Sequence, residues 1–291
     1  MIVATAGKAV SMSVWAQARR RFLANRAAVG GLLSLSIITL LAIIVPQVWP
    51  HSLDSGSLSA IGKPPSLSDF HWFGTDANGR DLFVRVFFGA RISLAIGLIA
   101  TVIALTIGVI YGATAGFVGG TTDLVMMRIV DILYALPLLF VIIVLVTILG
   151  NNIFLIFAAI GAVEWLTMAR IVRGQAISIK NREYIEAARA IDLPTARIIR
   201  RYVIPNAIGP VIVYATLLIP INIIVESSLS FLGLGVQEPL TSWGLLINQG
   251  ASQLDSAPWT LGFPALLLAI TMLSFNYVGD GLRDALDPRQ R

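Results

Sequence analysis

Three carboxylates, Asp131, Glu164 and Glu226, fall within or beside long hydrophobic runs. An aspartate at mid-helix in a bilayer costs about 2.5–3.5 kcal/mol on insertion scales, so each should face a bundle interior or a wet cavity. Two chemistries suit them. One is lining of a translocation path or relay of protons. The other is an interhelical hydrogen bond, or residence near a span end where water reaches. Arg128 precedes Asp131 by three residues, the spacing of a same-face pair on a helix.

A second constellation is a basic island at residues 180–206, carrying Lys180, Arg182, Arg189, Arg197, Arg200 and Arg201 between apolar runs. A membrane protein keeps such a loop in the cytoplasm, because Lys and Arg resist translocation. Residues 183–191 read as one helix, with Ile185 and Ala188 on one face and Glu186 and Arg189 on another. Asp192-Leu193-Pro194 breaks it, and Pro194 suits the first turn of a second helix. That helix is expected to run to about Val203, where Pro205 closes it. A helix-turn-helix at the cytoplasmic face is a docking element for a soluble partner.

Other chemistries lack their residues. There is no Gly-x-x-x-x-Gly-Lys-Ser/Thr loop to cradle ATP, no nucleophile elbow and no Ser-His-Asp or Cys-His arrangement. The chain has no cysteine, and His51 and His71 lack metal-ligand spacing, so neither metal nor cofactor is expected on it. No inverted repeat of the secondary-transporter kind is visible. An energy-coupled function must then draw on another subunit, through the 180–206 loop.

The elements that position these residues are membrane helices. The chain is 56% hydrophobic and 13% charged, and one span needs ~20 apolar residues. Six candidate spans read as 28–49, 91–117, 123–149, 153–173, 207–233 and 259–279. The net charge of +5 gathers at span ends and in one loop, which fits orientation in a lipid bilayer and not nucleic-acid binding. Lys8, Arg19, Arg20, Arg21 and Arg26 on the first tail, and Arg283, Arg289 and Arg291 on the last, put both termini in the cytoplasm. Residues 50–90 then lie outside despite Lys63, Arg80, Arg85 and Arg91. Arg19-Arg20-Arg21 is read as a basic anchor rather than an export signal, because a span-length run follows it.

Within this frame, Asp81 to Ala90 reads as a short amphipathic helix in the outer interface, with Leu82, Phe83, Val86 and Phe87 on one side and Arg80, Asp81 and Arg85 facing water. Ala100, Ala104, Gly108, Gly112 and Gly116 put small residues on one face of the second span, for close helix packing. Turns are expected at 119–123 and 150–152, and kinks at Pro137 and Pro220. Trp243 and Trp259, in or beside the 234–258 connection, suit an aromatic belt or a contact surface for an external partner.

Taken together, Glu186-Ala187-Ala188 followed by Pro205-Asn206 resembles the cytoplasmic EAA loop of ABC importer permeases. Phe73-Gly74-Thr75-Asp76, Gly79-Arg80-Asp81 and Gly89-Ala90-Arg91-Ile92-Ser93-Leu94 are similar to the start of the permease core in the oligopeptide/dipeptide/nickel group. So are Gly116-Phe117-Val118-Gly119-Gly120 with Asp123, Met127-Arg128 with Asp131, the run 226–235 and the run 279–288. The closing segments are most similar to the C-type subunit of oligopeptide importers.

The resemblance implies an all-α integral membrane protein of type I importer fold, with one extra N-terminal helix before a five-helix core. The corresponding division is 1–27 cytoplasmic tail, 28–49 first span, 50–90 extracytoplasmic loop, 91–282 core and 283–291 tail. It implies a bacterial plasma (inner) membrane location and a heterodimer with a homologous permease. It further implies two ABC ATPase subunits carrying ATP and Mg, and an extracytoplasmic substrate-binding protein. Glu186, Ala187, Ala188, Arg189, Asp192 and Leu193 become the ATPase-coupling candidates, and Asp131, Glu164 and Glu226 the path candidates. Glycine is usual in this family where Asp192 stands, and histidine where Tyr202 stands; aspartate tolerates left-handed backbone better than most residues. Two other classes remain distinct expectations. A proton-coupled carrier or channel would use the three acids without an ATPase. A membrane scaffold would move no solute.

Overall fold

The computed structural model describes residues 14–150 and 152–286, and among these it is helical with no named strand. A short helix α1 (Val14–Ala24) precedes α2 (Arg26–Val48), whose first turn is capped by the Asn25 side chain accepting from the amides of Ala27 and Ala28. An irregular segment leads to α3 (Leu82–Val118), α4 (Gly120–Tyr134), α5 (Leu138–Leu149) and α6 (Ile153–Lys180). Next come α7 (Glu183–Ala190), α8 (Thr195–Ile198), a π turn (Ile199–Val203) and α9 (Ile204–Phe231), then α10 (Trp243–Ala251) and α11 (Trp259–Leu286). Five of these units are long and apolar enough to cross a bilayer, and the bent pair α4–α5 raises the number to as many as six.

The centre of the bundle is α3, at 37 residues. With a rise of about 1.5 Å per residue it is ~55 Å long and exceeds a ~30 Å hydrocarbon core. It lies against α6 along most of that length, because the expected stripe of small residues is all buried there. A side chain at Gly112 would collide with the carbonyl oxygen of Ala169, and one at Gly116 with that of Arg173. On another face α3 meets α9, where the Asn222 amide donates to Thr101 Oγ1 at 2.9 Å, an interhelical bond inside the apolar layer. Around this pair, α2 and α11 pack on each other and on α3 and α9.

Two expectations are corrected. The predicted amphipathic helix at 81–90 is the first part of α3 itself, so the boundary expected at 90/91 falls inside a continuous helix. Its charges do not face water: Arg80 is 8%, Asp81 1% and Arg85 0% exposed. Pro205 does not close the second loop helix. It stands in the first turn of α9, and residues 195–231 form one span-length helical unit. The π turn at Ile199–Val203 loosens the ladder just ahead of the proline, whose ring would otherwise clash with the preceding turn and whose missing N–H leaves a carbonyl there without a partner. Pro137 does more than kink its span, since α4 and α5 meet at 82° across it. Pro220 sits within α9 without interrupting it.

The bundle has two unlike ends. One carries the 180–203 loop. The other is a crown built from residues 49–81, the 232–242 connection and α10. There Asp76 accepts from Arg80 Nε at 2.8 Å, and Glu238 accepts from Arg80 at 2.9 Å and from Arg85 at 3.5 Å. Trp243, expected in an interfacial belt, is fully buried, and its indole N–H donates to the Val86 carbonyl at 3.1 Å. Trp259 is half-buried and donates to the Thr75 carbonyl at 3.2 Å. Phe73 stacks on Phe263 at 3.9 Å between ring centres, joining the 49–81 segment to α11.

Candidate functional site

The 180–203 loop folds as a helix, a tight turn and a second helix, and each step has a local cause. Glu183 and Glu186 occupy the first turn of α7 and Arg189 its last, both favourable to the helix dipole. After Ala190 the chain closes in a Schellman motif. The Asp192 amide donates to the Arg189 carbonyl at 2.9 Å and the Leu193 amide to the Ala188 carbonyl at 3.2 Å. Asp192 supplies the left-handed residue that this motif requires, with φ of 61°. Leu193 turns back onto the apolar cluster that contains Ala188, the hydrophobic contact that accompanies the motif. Pro194 occupies the N-cap position of α8 in extended backbone, one residue ahead of the first turn in which it was expected.

One face of α7 is keyed into the bundle. Ile185 and Ala188 are buried in a cluster with Phe117 at the end of α3, Val172, Ala176 and Ile179 of α6, and Ile198 and Val203. Tyr184 and Tyr202 stack across the two arms at 6.5 Å. The other face is open: Glu183, Glu186, Ala187, Arg189 and Asp192 are exposed. The Arg189 guanidinium also lies 5.3 Å from the Phe117 ring, so its stem is guided by the core while its head stays accessible. Among the contact candidates, Ala188 is only 3% exposed and acts inside the fold. Ile191, absent from those candidates, stands 71% exposed at the tip of the turn. Its signal was visible in the sequence as a large apolar residue outside the Ile185/Ala188 face. Arg197, Arg200 and Arg201 flank the same end as an exposed basic patch with Pro205.

The three path-candidate acids are not brought together. No hydrogen bond or ion pair among the described residues joins one to another. Asp131 pairs with Arg170 of α6 at 2.9 Å, not with Arg128 as the spacing suggested, and the same guanidinium covers the Tyr134 ring at 4.2 Å. Arg128 lies on the same helix as Asp131, whereas α4 needs α6 to hold it. The tether is doubled by Arg173, which donates from Nε and a terminal nitrogen to both oxygens of Asp123 at 2.6 Å. Sequence reasoning passed over this pair; a carboxylate and a guanidinium each flanking an apolar run was its signal.

Glu226 is fully buried. It accepts from Ser230 at 2.6 Å and from Ser93 at 3.2 Å, while Ser93 also receives the Trp243 amide. Glu226 therefore joins α3, α9 and the start of α10. Glu164 is half-buried on α6, in electrostatic reach of Tyr214.

Comparison with known proteins follows this geometry. The family model described as binding-protein-dependent transport system inner membrane component matches residues 108–291. A second model, the N-terminal TM domain of oligopeptide transport permease C, matches residues 13–65. The chain is 50% identical over 279 residues to the oligopeptide transport system permease protein OppC of Haemophilus influenzae, covering 96% of this chain and 90% of that protein. It is equally identical over 279 residues to the protein of that name in Escherichia coli, covering 96% and 92%. It is 47% identical over 285 residues to the dipeptide transport system permease protein DppC of Bacillus subtilis, covering 98% and 88%.

Proposed function

This chain belongs to the family of binding-protein-dependent transport system inner membrane components, and from that premise we propose that it forms half of the translocation path of an ATP-driven importer of oligopeptides or dipeptides. The substrate class rests on the names of its relatives. The chain itself is the non-catalytic permease; ATP and Mg belong to two ABC ATPase subunits. A homologous permease completes a heterodimer, and an extracytoplasmic binding protein delivers the solute. It resides in the bacterial inner membrane with both termini and the 180–206 loop in the cytoplasm. The 50–90 and 234–258 segments then face outward, and the crown they build is where the binding protein docks.

The observation that carries the coupling role is the two-faced α7. Its inner face is locked to α3 and α6 through Ile185 and Ala188, so displacement of α7 by a partner moves the bundle with it. Its outer face offers Glu186, Ala187, Arg189 and Asp192 with Ile191 at the turn, while Leu193 seats the turn on the bundle. An apolar anchor ringed by charge is the composition of a protein-docking surface. ATP-driven closure of the ATPases pushes α7, and the two-state bundle follows.

The test is copurification in mild detergent after co-expression with the neighbouring transporter genes. The intact chain should bring down an ATPase with a P-loop. Glu186→Ala with Arg189→Ala should weaken that recovery and abolish peptide uptake while this chain still reaches the membrane. Recovery of the ATPase at the intact level, with uptake unchanged, would remove α7 from the coupling role.

A further inference from the structure

The two histidines lie twenty residues apart in the chain and show no ligand spacing, yet the crown brings them together. His51 stands just beyond α2, His71 in the middle of the irregular segment and Asp81 at the N-cap of α3. Their rings stack at 4.3 Å with 20° between planes. His71 Nδ1 lies 2.7 Å from Asp81 Oδ2. One donor atom from each of the three residues lies within 4.8 Å of the others. The Asp81 side chain is wholly buried and that of His71 is 11% exposed, while His51 is half-buried at the rim.

From this juxtaposition we propose that His51, His71 and Asp81 form a binding site for a divalent transition-metal ion of zinc type, distinct from the loop that couples to the ATPase. Two imidazole nitrogens and one carboxylate oxygen are a borderline donor set, suited to zinc and its neighbours. Magnesium and calcium prefer all-oxygen shells and are disfavoured here. Three protein ligands leave a fourth position for water, toward the rim where His51 stands.

The rearrangement required is small and falls on the least restrained residue. Metal–donor bonds of about 2.0–2.1 Å set tetrahedral donors ~3.3 Å apart. The His71–Asp81 pair must open by a few tenths of an ångström, and His51 must swing inward. Within the crown, the hydrogen bond recorded for the His51 ring is to the Asp69 carbonyl, at 3.2 Å and on the exposed side. Asp81 keeps its other oxygen on the Val84 amide at 2.9 Å, so it can ligate and still cap α3. Imidazole and carboxylate ligate in their deprotonated forms, so binding weakens as pH falls. The ion would fasten the exit of α2 to the start of α3.

The experiment uses the full chain in its transporter complex, purified through a tag without histidines and stripped with a chelator. Zinc at micromolar concentration should raise the unfolding temperature of the intact complex and be retained at one equivalent per chain, and magnesium should not. His51→Ala removes a rim residue and keeps the fold. It should weaken zinc binding at least ~tenfold, as should Asp81→Asn, which retains a good N-cap. Equal zinc retention and equal thermal shift in the intact and His51→Ala complexes would overturn the site. So would the absence of any zinc effect on the intact complex.

Discussion

Asp192 holds a backbone conformation that costs an L-residue about 1–2 kcal/mol per position, somewhat less for Asp or Asn. Its φ of 61° is the price of the Schellman turn that ends α7. Asp192→Gly should relieve this strain, offset in part by the greater entropy that glycine loses on folding, and slow amide exchange across Glu183–Ala190. Faster exchange would mean that the aspartate side chain supplies something the backbone does not. At the other end of the molecule, Arg85 is 0% exposed and reaches Glu238 at 3.5 Å and Asp76 at 3.6 Å. Truncating it empties a fully buried volume and leaves Asp76 and Glu238 with Arg80 as their guanidinium partner. Arg85→Ala should accordingly lower the unfolding temperature and expose the 50–81 segment to protease, whereas an unchanged digestion pattern would show the cluster to be dispensable. The turn residue was legible in the sequence, because a helix followed by Asp-Leu-Pro has few ways to end. The burial of Arg85 was not. An arginine at the start of an apolar helix reads as facing water until its partner, 153 residues away, is known.

At the scale of elements, α4 differs from its neighbours. Leu124, Val125, Ile129 and Ile132 are exposed along it, and it is held to α6 by Asp123–Arg173 and Asp131–Arg170. Polar tethers of this kind replace the continuous apolar seam that joins α3 to α6. Arg173→Ala should loosen α4 while leaving that seam intact. Since the chain has no cysteine, a single Val130→Cys, at a position wholly buried on α4, reports on this cleanly: its labelling should accelerate at least severalfold in the Arg173→Ala background. The seam itself was readable, because small residues every fourth position have one packing meaning. The partner of Asp131 was not, since a same-helix Arg128 and a neighbouring-helix Arg170 satisfy the same electrostatic demand. The fate of Pro205 escaped for a similar reason: a proline ends a regular helix but is tolerated after a π turn, and nothing local announces the π turn.

At the scale of the whole molecule, the crown ties segments from both halves of the chain into one unit, and charge is part of the tie. The hydrogen bond from Arg80 holds the Glu238 carboxyl below its ordinary range, helped by Gln249. A group depressed in the folded state stabilises it above the unfolded pKa, and that contribution is lost as pH falls through the folded value. The Glu238 contribution should thus be constant between pH 8 and 6 and be lost below about pH 4.5, the ordinary range of a glutamate. Glu238→Gln should flatten this acid limb of the stability profile, and an identical acid limb in the variant would assign it to other groups. The six-span outline was within reach of hydropathy alone, whereas the crown was not, because its polar contacts join residues that composition places in unrelated loops. One property of that cluster bears on how the molecule comes into being. A ribosome adds about 5–20 residues per second, so Arg85 exists some 8–30 s before Glu238. For that interval the nascent chain has only Asp76 and Arg80 of the set, and Asp76 alone bears the opposite charge. Until residue 238 is made, Asp76 is the one carboxylate of this cluster available to balance the guanidiniums of Arg80 and Arg85.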